Sequence, residues 1–307
     1  MHAEGDELWG LRVDKRRAEE MRQDLIGRGL LERGYRPRSE GESLLLPLTA
    51  AVPGAERAVF APFPPREDLA RHELVGGIAI LQEEDCAAAE RILVSRPSLH
   101  TVVVPTGPVS GEFRTRDLKV LAGEPTTRTV VTEHGRRFAV DLAHAYFSAR
   151  LSTERQRVHG LMAEGEEVCD MFAGVGPFAI SLSDRASFVV AADLNPAAVS
   201  LLCENVRMNR CRNVLPVLAD AAHLPGVFPR TFDRVIMNLP MESAQFLPAA
   251  FALCRPGGTI HYYALQEEEG AYLDRIHAFP VDAVAERRVR SYSPGEWHAV
   301  YDILVGE

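Results

Sequence analysis

The feature that most constrains this chain is a glycine-containing turn that follows a short apolar stretch. The apolar stretch ends at Asp170, Gly174 and Gly176 follow, and residues 177–180 can begin a helix. A strand, a tight glycine turn and a helix in this order are how a parallel α/β sheet presents its backbone to a nucleotide-like ligand. The sequence therefore predicts a ligand site at residues 170–180.

From about residue 150 onward, predicted strands alternate with predicted helices. The helices include 150–162 and 196–209, the second with a proline at its favoured first position. The predicted strands are 167–170, 188–193, 214–218, 232–238, 258–263 and a last one at 299–305. This alternation predicts an α/β fold with a doubly wound, parallel-rich sheet.

Polar residues follow successive strands of this predicted sheet. Asp170, Asp193 and Asp220 follow the first three strands, and Asn238 follows the fourth. Ligands of such sheets bind beyond the carboxyl ends of the strands, where an acid can accept both ribose hydroxyls. Acids at three strand ends, together with the Asn-Leu-Pro sequence that ends at Pro240, favour S-adenosylmethionine over a dinucleotide.

Two smaller units precede this region. Residues 5–50 read as a strand, a helix and a strand, and the proline-rich residues 51–66 read as a linker. Residues 67–145 read as a second α/β unit that ends in a hairpin with its turn at 133–136. We therefore predict an N-terminal domain at 1–52, a middle α+β domain at 67–148 and a Rossmann-like class I methyltransferase domain at 149–307.

Composition narrows the class of protein further. The net charge of −9 argues against indiscriminate binding of nucleic acid but allows a local basic face. The five cysteines are scattered, so neither disulfides nor a metal site is expected. The polar N-terminus and the lack of long apolar runs predict a cytoplasmic protein with no membrane partner.

Several motifs together resemble the archaeal and eukaryotic tRNA (guanine-N1)-methyltransferase family. They are the 170–178 glycine turn, Asn-Leu-Pro at 238–240, Tyr-Phe-Ser-Ala-Arg-Leu-Ser-Thr-Glu-Arg at 146–155, Gly-Glu-Phe-Arg-Thr-Arg-Asp-Leu-Lys-Val-Leu-Ala-Gly at 111–123 and Ser-Tyr-Ser-Pro at 291–294. The resemblance implies a monomer that uses S-adenosylmethionine to methylate N1 of guanosine 37 in tRNA. It also implies that the N-terminal domain binds the outer corner of the tRNA and that the catalytic domain works at the anticodon region.

The chemistry of this reaction demands particular side chains. N1 of guanine carries a proton at neutral pH, so its methylation needs a general base near N1 and a donor near O6. The resemblance assigns Glu154 as the base, Arg114 as the O6 donor and Asn238 as the residue that positions the guanine. It assigns Tyr146, Arg150 and Arg155 to the substrate. The cofactor contacts that it implies are Asp170, Phe172, Gly174, Gly176, Asp193, Leu194, Asn195, Asp220, Ala221, Asn238, Pro240 and Arg155.

Other interpretations of these residues stay open at this point. An acid at the start of a helix, such as Glu154, also favours the helix dipole, and Ala149 replaces a proline that the family pattern leads one to expect. A related wybutosine-pathway family transfers an aminocarboxypropyl group, and some archaeal relatives methylate a wyosine precursor. Leu239 and Met241 disfavour an amino-methyltransferase. A decayed, non-enzymatic RNA-binding module would not keep the acids and glycines intact.

Overall fold

A computed structural model describes residues 5–63, 69–108, 111, 113, 115–241 and 243–307. The chain divides into two compact units, residues 1–68 and residues 69–307. Within the described ranges, no helix combines the length and the apolar character that crossing a membrane requires. Arg114, the predicted O6 donor, lies outside the described residues.

The first unit is a four-stranded antiparallel sheet with one helix. Its strand order is β2-β3-β1-β4, and Leu25 of the helix packs with Leu46 and Leu48 of the sheet. The linker prediction for residues 51–66 was wrong over part of that range, because a strand there pairs with the first strand along six positions. The elements are β1 (Asp6–Asp14), α1 (Ala18–Gly27), β2 (Arg38–Glu40), β3 (Ser43–Leu48) and β4 (Ala55–Phe60).

The second unit begins with a small mixed sheet and a hairpin. The sheet has the order β5-β6-β7-β8, and its helix packs on it through alanines and Ile92. The predicted hairpin is present, with His134 and Gly135 at positive φ in its turn. The elements are β5 (His72–Val75), β6 (Ile78–Leu81), α2 (Cys86–Ser95), β7 (Thr101–Pro105), β8 (Leu118–Gly123), β9 (Arg128–Glu133) and β10 (Arg136–Asp141).

The rest of the second unit is a seven-stranded sheet in the order β13-β12-β11-β14-β15-β17-β16. The first five strands in that order pair in parallel, and the pairings of β15 with β17 and of β17 with β16 are antiparallel, which confirms the α/β methyltransferase-like fold. The elements are α3 (Ser152–Leu161), β11 (Glu166–Asp170), α4 (Pro177–Leu182), β12 (Ala186–Asp193), α5 (Pro196–Met208), β13 (Val214–Leu218), α6 (Leu224–Val227), β14 (Phe232–Met237), α7 (Leu247–Leu253), β15 (Cys254–Gln266), α8 (Leu273–Ile276), β16 (Val281–Ser293) and β17 (Glu296–Val305).

The strand order brings the predicted strand ends to one edge of the sheet. Asp193, Asp170 and the residues after β14 follow parallel strands, so they lie at the carboxyl edge. The antiparallel hairpin of β16 and β17 turns at this same edge, since Trp297 pairs with Gln266 at the end of β15. Strand β16 was not predicted, and it extends the edge beyond the strand ends that the sequence pattern identified.

Candidate functional site

A cavity of about 510 Å³ lies along the carboxyl edge of the seven-stranded sheet. It is bordered by the glycine turn, by the ends of the parallel strands and by the turn between β16 and β17. The predicted site residues that line it are Tyr146, Arg155, Phe172, Gly174, Asp193, Leu194, Asn195, Asp220, Ala221, Asn238 and Pro240. The structure thus brings together residues that are up to 94 positions apart in the sequence, from Tyr146 to Pro240.

The glycine turn has the backbone conformation that the sequence predicted. Gly174 and Gly176 have φ of 55° and 91°, in the left-handed region that other residues seldom adopt. The amide of Gly174 donates to Oδ2 of Asp193 at 2.6 Å, and Gly176 is the N-cap of α4. The turn is therefore fixed against the end of the neighbouring strand, and its backbone faces the cavity.

Asp170 lies directly behind this turn and is almost completely buried. Neither of its carboxylate oxygens has a hydrogen-bond partner among the described residues. Burial raises the pKa of Asp170 to about 7, and the negative charge of Asp193 acts in the same direction. The nearby amides of Phe172 and Ala179 act to lower that pKa, but they lie outside hydrogen-bonding geometry. An unpaired buried carboxylate beside an open cavity is suited to a ligand that carries positive charge or N–H donors.

The next two strand ends supply acids that face the cavity directly. Asp193 is held by the amides of Gly174 and Asn195, and burial raises its pKa although these amides oppose the shift. Asp220 caps the turn after β13, with Oδ1 accepting from the amide of Ala222 at 2.9 Å. Asn195 caps α5 and also donates to the carbonyl of His144 at 2.7 Å.

These residues fit S-adenosylmethionine, the cofactor of methyltransferase domains. The ligand carries an ammonium group and a sulfonium, both of which an unpaired buried carboxylate favours, and a ribose whose hydroxyls need acceptors. Gly174 leaves room for close approach of the ligand to the backbone. Asp193 and Asp220 line the cavity, and Asp170 lies behind the turn at the same edge of the sheet.

Glu154 does not line the cavity. It occupies the first turn of α3, where the dipole favours an acid, and its carboxylate points toward the sheet. Arg157 donates to its Oε1 at 2.7 Å, and the Tyr263 hydroxyl donates to the same oxygen at 2.8 Å. The structure therefore does not bring the predicted base together with the other predicted site residues.

Glu154 belongs to a buried charge network that joins α3 to three strands. Arg157 also donates to Asp302 of β17, Asp302 accepts from His261 of β15, and His261 accepts from Arg234 of β14. Burial acts to raise the pKa of Asp302, but the hydrogen bonds and charges of His261 and Arg157 outweigh it and hold that pKa well below its usual range. This network fixes the sheet-facing side of α3.

The cavity-facing side of α3 presents Arg155. Its side chain is only 1% exposed, and its guanidinium forms a two-point ion pair with Glu133 at 2.7 and 2.5 Å. The rings of Phe147 and Phe178 each lie 5.9 Å from its guanidinium carbon. Arg155 is thus a fixed, buried part of the wall rather than an exposed contact for phosphate.

The remaining predicted substrate residues differ in placement. Tyr146 lines the cavity and is 41% exposed. Arg150 is not among the described residues that line it, and it forms a long ion pair with Glu73 at 3.4 Å. Ala149, where the family pattern leads one to expect proline, begins a short 3-10 turn that leads directly into α3. Asn238 and Pro240 form the wall beyond β14, where the Pro240 carbonyl accepts from the amide of Leu265.

Several cavity residues were not predicted from the sequence. Phe246 is one of them, and its ring meets that of the predicted Phe172 edge to face with ring centroids 5.1 Å apart. Tyr292 and His298 stack on each other at the turn of β16 and β17, with centroids 5.3 Å apart. Tyr292 lies in the 291–294 motif that contributed to the resemblance, so that motif was the available signal for a place at the site.

Comparisons with known proteins identify the family of this chain. A family model described as the TRM5/TYW2 methyltransferase domain matches residues 129–288, and a model of the tRNA methyltransferase 5 N-terminal domain matches residues 10–56. The Pyrococcus abyssi tRNA (guanine(37)-N(1))-methyltransferase Trm5b is 35% identical, over 96% of this chain and 98% of its own. The Methanocaldococcus jannaschii tRNA(Phe) (4-demethylwyosine(37)-C(7)) aminocarboxypropyltransferase is 32% identical, over 76% and 96% of the respective chains.

The fold is shared with solved structures along its full length. A complex of aTrm5 and tRNALeu has a TM-score of 0.73 and 29% identity, and the match covers 97% of this chain and 99% of that one. Three observations lead to the same conclusion: the two family models match in sequence order, the Pyrococcus abyssi relative matches along nearly the whole chain, and the cavity suits S-adenosylmethionine. The chain belongs to the tRNA (guanine37-N1)-methyltransferase family.

Proposed function

We propose that this protein methylates N1 of guanosine 37 in tRNA with S-adenosylmethionine. The observation that carries the proposal is the cavity itself, which joins the acids of the strand ends to Asn238, Tyr146 and the 291–298 turn. The named activity of the Pyrococcus abyssi relative, which matches this chain along nearly its whole length, supports the same reaction.

On the cofactor side, Asp170, Asp193 and Asp220 would hold S-adenosylmethionine through its charged and hydroxyl groups. When bound, S-adenosylmethionine supplies an electrophilic methyl group. These acids would hold its polar groups at the edge of the sheet, and Phe172 and Phe246 offer apolar surface in the same cavity.

On the substrate side, a flipped guanine would enter between Asn238 and Tyr146. We expect a flipped base because N1 lies on the Watson–Crick edge and must face the sulfonium inside the cavity. Arg114 would donate to O6 as charge develops there, and Asn238 would orient the ring. Glu154 would take the proton from N1, and this role requires its carboxylate to exchange Arg157 and Tyr263 for the substrate.

The RNA would engage more of the molecule than the cavity. We propose that the N-terminal unit contacts the outer corner of the tRNA and that the protein acts as a monomer. The match of residues 10–56 to the N-terminal domain model and the likeness to a tRNA complex support this arrangement.

A second candidate is aminocarboxypropyl transfer from the same cofactor. The 32% identity to a transferase of that name favours it, but that match covers 76% of this chain against 96% for the methyltransferase. Methyl transfer also agrees with the separate match of the N-terminal domain model.

Mass spectrometry of nucleosides from tRNA treated with the protein and S-adenosylmethionine tests the proposal. We expect 1-methylguanosine, formed on transcripts with guanosine 37 and absent from transcripts with adenosine 37. Equal methylation of both transcripts would contradict the guanine assignment. An aminocarboxypropyl nucleoside or a methylated wyosine precursor would identify the alternative reactions directly.

A further inference from the structure

The sheet order divides the cavity into two halves. Asp220, Asp193 and Asp170 follow β13, β12 and β11, which form one side of the sheet. Tyr292 and His298 lie on β16 and β17 at the opposite side, with β14 and β15 between. Residues on β16 and β17 therefore border the half of the cavity that lies away from the acids.

His298 is fixed next to the Asn-Leu-Pro segment. It pairs with Leu265 across β15 and β17, and the amide of Leu265 donates to the carbonyl of Pro240 at 2.8 Å. Arg290 Nε donates to Nδ1 of His298 at 3.2 Å, and the His298 side chain is buried. The imidazole is thus held in one orientation beside the segment proposed to position the guanine.

Tyr292 stacks on this fixed imidazole. The two rings are nearly parallel, at 20°, with centroids 5.3 Å apart, and both residues line the cavity. Tyr292 nevertheless remains 50% exposed. One face of its ring stacks on His298, so the exposure of Tyr292 leaves the rest of the ring surface open to a further stacking partner at the cavity.

A supported aromatic ring with one open face is suited to stacking on a nucleobase. Stacking tolerates any base, because every base has a π-face, and strengthens RNA binding by about 5- to 150-fold per contact. Exposed rings at a cavity mouth are costly in water, and a flipped base would cover this one.

We propose that Tyr292 is a substrate-binding residue whose open face stacks on the base at position 37 after it leaves the anticodon loop. His298 acts as a positioning residue that holds the tyrosine ring, and Arg290 holds His298. This inference rests on the proposed function, since it takes the flipped guanosine of tRNA as the occupant of this half of the cavity.

A double-mutant cycle between protein and RNA tests this contact. Dissociation constants are measured for the wild-type protein and Tyr292→Ala with two transcripts, one with guanosine at position 37 and one with an abasic site there. We expect Tyr292→Ala to weaken binding of the guanosine transcript by about 5- to 150-fold and to change binding of the abasic transcript little. Tyr292→Phe, which keeps the ring, should restore most of the affinity.

The control is Leu304→Ala, which removes an exposed apolar side chain from the far end of β17, outside the cavity lining. We expect it to bind both transcripts as the wild-type protein does. An equal loss with both transcripts, or no loss with either, would overturn the stacking contact. Methylation by the wild-type protein is measured separately. If the protein methylates tRNA but Tyr292 and the base at position 37 show no coupling, only the Tyr292 inference is wrong. If the protein does not methylate tRNA, the proposed function itself is contradicted.

Discussion

The buried carboxylate of Asp170 should lower the stability of the ligand-free protein and favour binding of the cofactor. Its folded pKa of about 7 lies above that of an exposed aspartate, so its contribution to stability is present at acid pH and is lost as pH rises through about 7. We expect Asp170→Asn to make the ligand-free protein more stable at pH 8, by roughly 4 kcal/mol, because it removes the buried charge. The advantage should shrink toward pH 4. Urea unfolding across this pH range measures both.

The control for this prediction is Asp220→Asn, at a neighbouring strand end, where the side chain is 41% exposed. It should change the free energy of unfolding little, because an exposed carboxylate keeps its water. Both variants should bind S-adenosylmethionine more weakly than the wild-type protein, by calorimetric titration. A stability of Asp170→Asn that follows the wild-type value at every pH would show that the carboxylate carries no buried charge.

Glu154 can act as a base, as an anchor of α3, or as both. As a base, its replacement by glutamine should slow single-turnover methylation by about 10²- to 10⁴-fold near neutral pH. As an anchor only, Glu154→Gln should lower the free energy of unfolding, because Arg157 loses a buried partner, but should leave the rate of the folded protein intact. We expect the large loss of rate.

Tyr263→Phe is the matched variant, since it removes one hydrogen bond to Glu154 and keeps the carboxylate. It should retain the chemistry with a modest loss of stability. A Glu154→Gln protein that methylates at the wild-type rate would leave Glu154 with the structural role that its contacts already describe.

Local residue patterns predicted which polar residues lie at the carboxyl edge of the sheet, and long-range contacts account for what they missed. Asp170, Asp193 and Asn238 end strands, and a strand end can be recognised from its own neighbours. The partners of Glu154 cannot be recognised in this way, because they are distant in the sequence. Tyr263 lies 109 positions from Glu154, and Asp302 of the same network lies 145 positions from Arg157. The 41% exposure of Tyr146 and the burial of Arg155 likewise depend on how distant elements pack.

At the level of elements, two of the strands that the sequence analysis missed are obscured by neighbouring prolines or by charged residues. β4 lies between prolines that suggested a linker, and β16 is an edge strand whose arginines break the apolar alternation. Edge strands tolerate charge because one side of the strand meets solvent. The polar strand β16 therefore gave no strand signal, although it brings Tyr292 to the cavity.

The hairpin of β9 and β10 depends on one buried amide in α5. Asn205 accepts from the amide of Ala139 at 2.7 Å and donates to the carbonyls of Ala139 and Val175. Its side chain ties α5 to both the hairpin and the glycine turn. We expect Asn205→Ala to lower the free energy of unfolding by about 3 kcal/mol, because it leaves buried backbone groups unsatisfied. Chemical denaturation measures this.

Asn209→Ala is the matched control, because Asn209 bonds the amide and the carbonyl of Arg137 on the same strand at an exposed site. Water can replace those bonds, so we expect a loss of about 1 kcal/mol or less. Equal losses for the two variants would mean that burial does not determine what these amides contribute.

On the scale of the whole molecule, the two units have separate apolar cores, and this separation predicts two unfolding transitions. The apolar cores of the first unit lie within residues 8–60, and those of the second lie within residues 69–305. The proposed cofactor site lies wholly in the second unit. We expect calorimetry of the full chain to show two transitions, of which S-adenosylmethionine raises only one. At a hundredfold excess over the dissociation constant, the second unit should gain about 2.7 kcal/mol. We expect Asp170→Asn to reduce this gain, because it should weaken cofactor binding, and to leave the transition of the first unit unmoved. A single transition that the cofactor shifts as a whole would instead show that the two units unfold together.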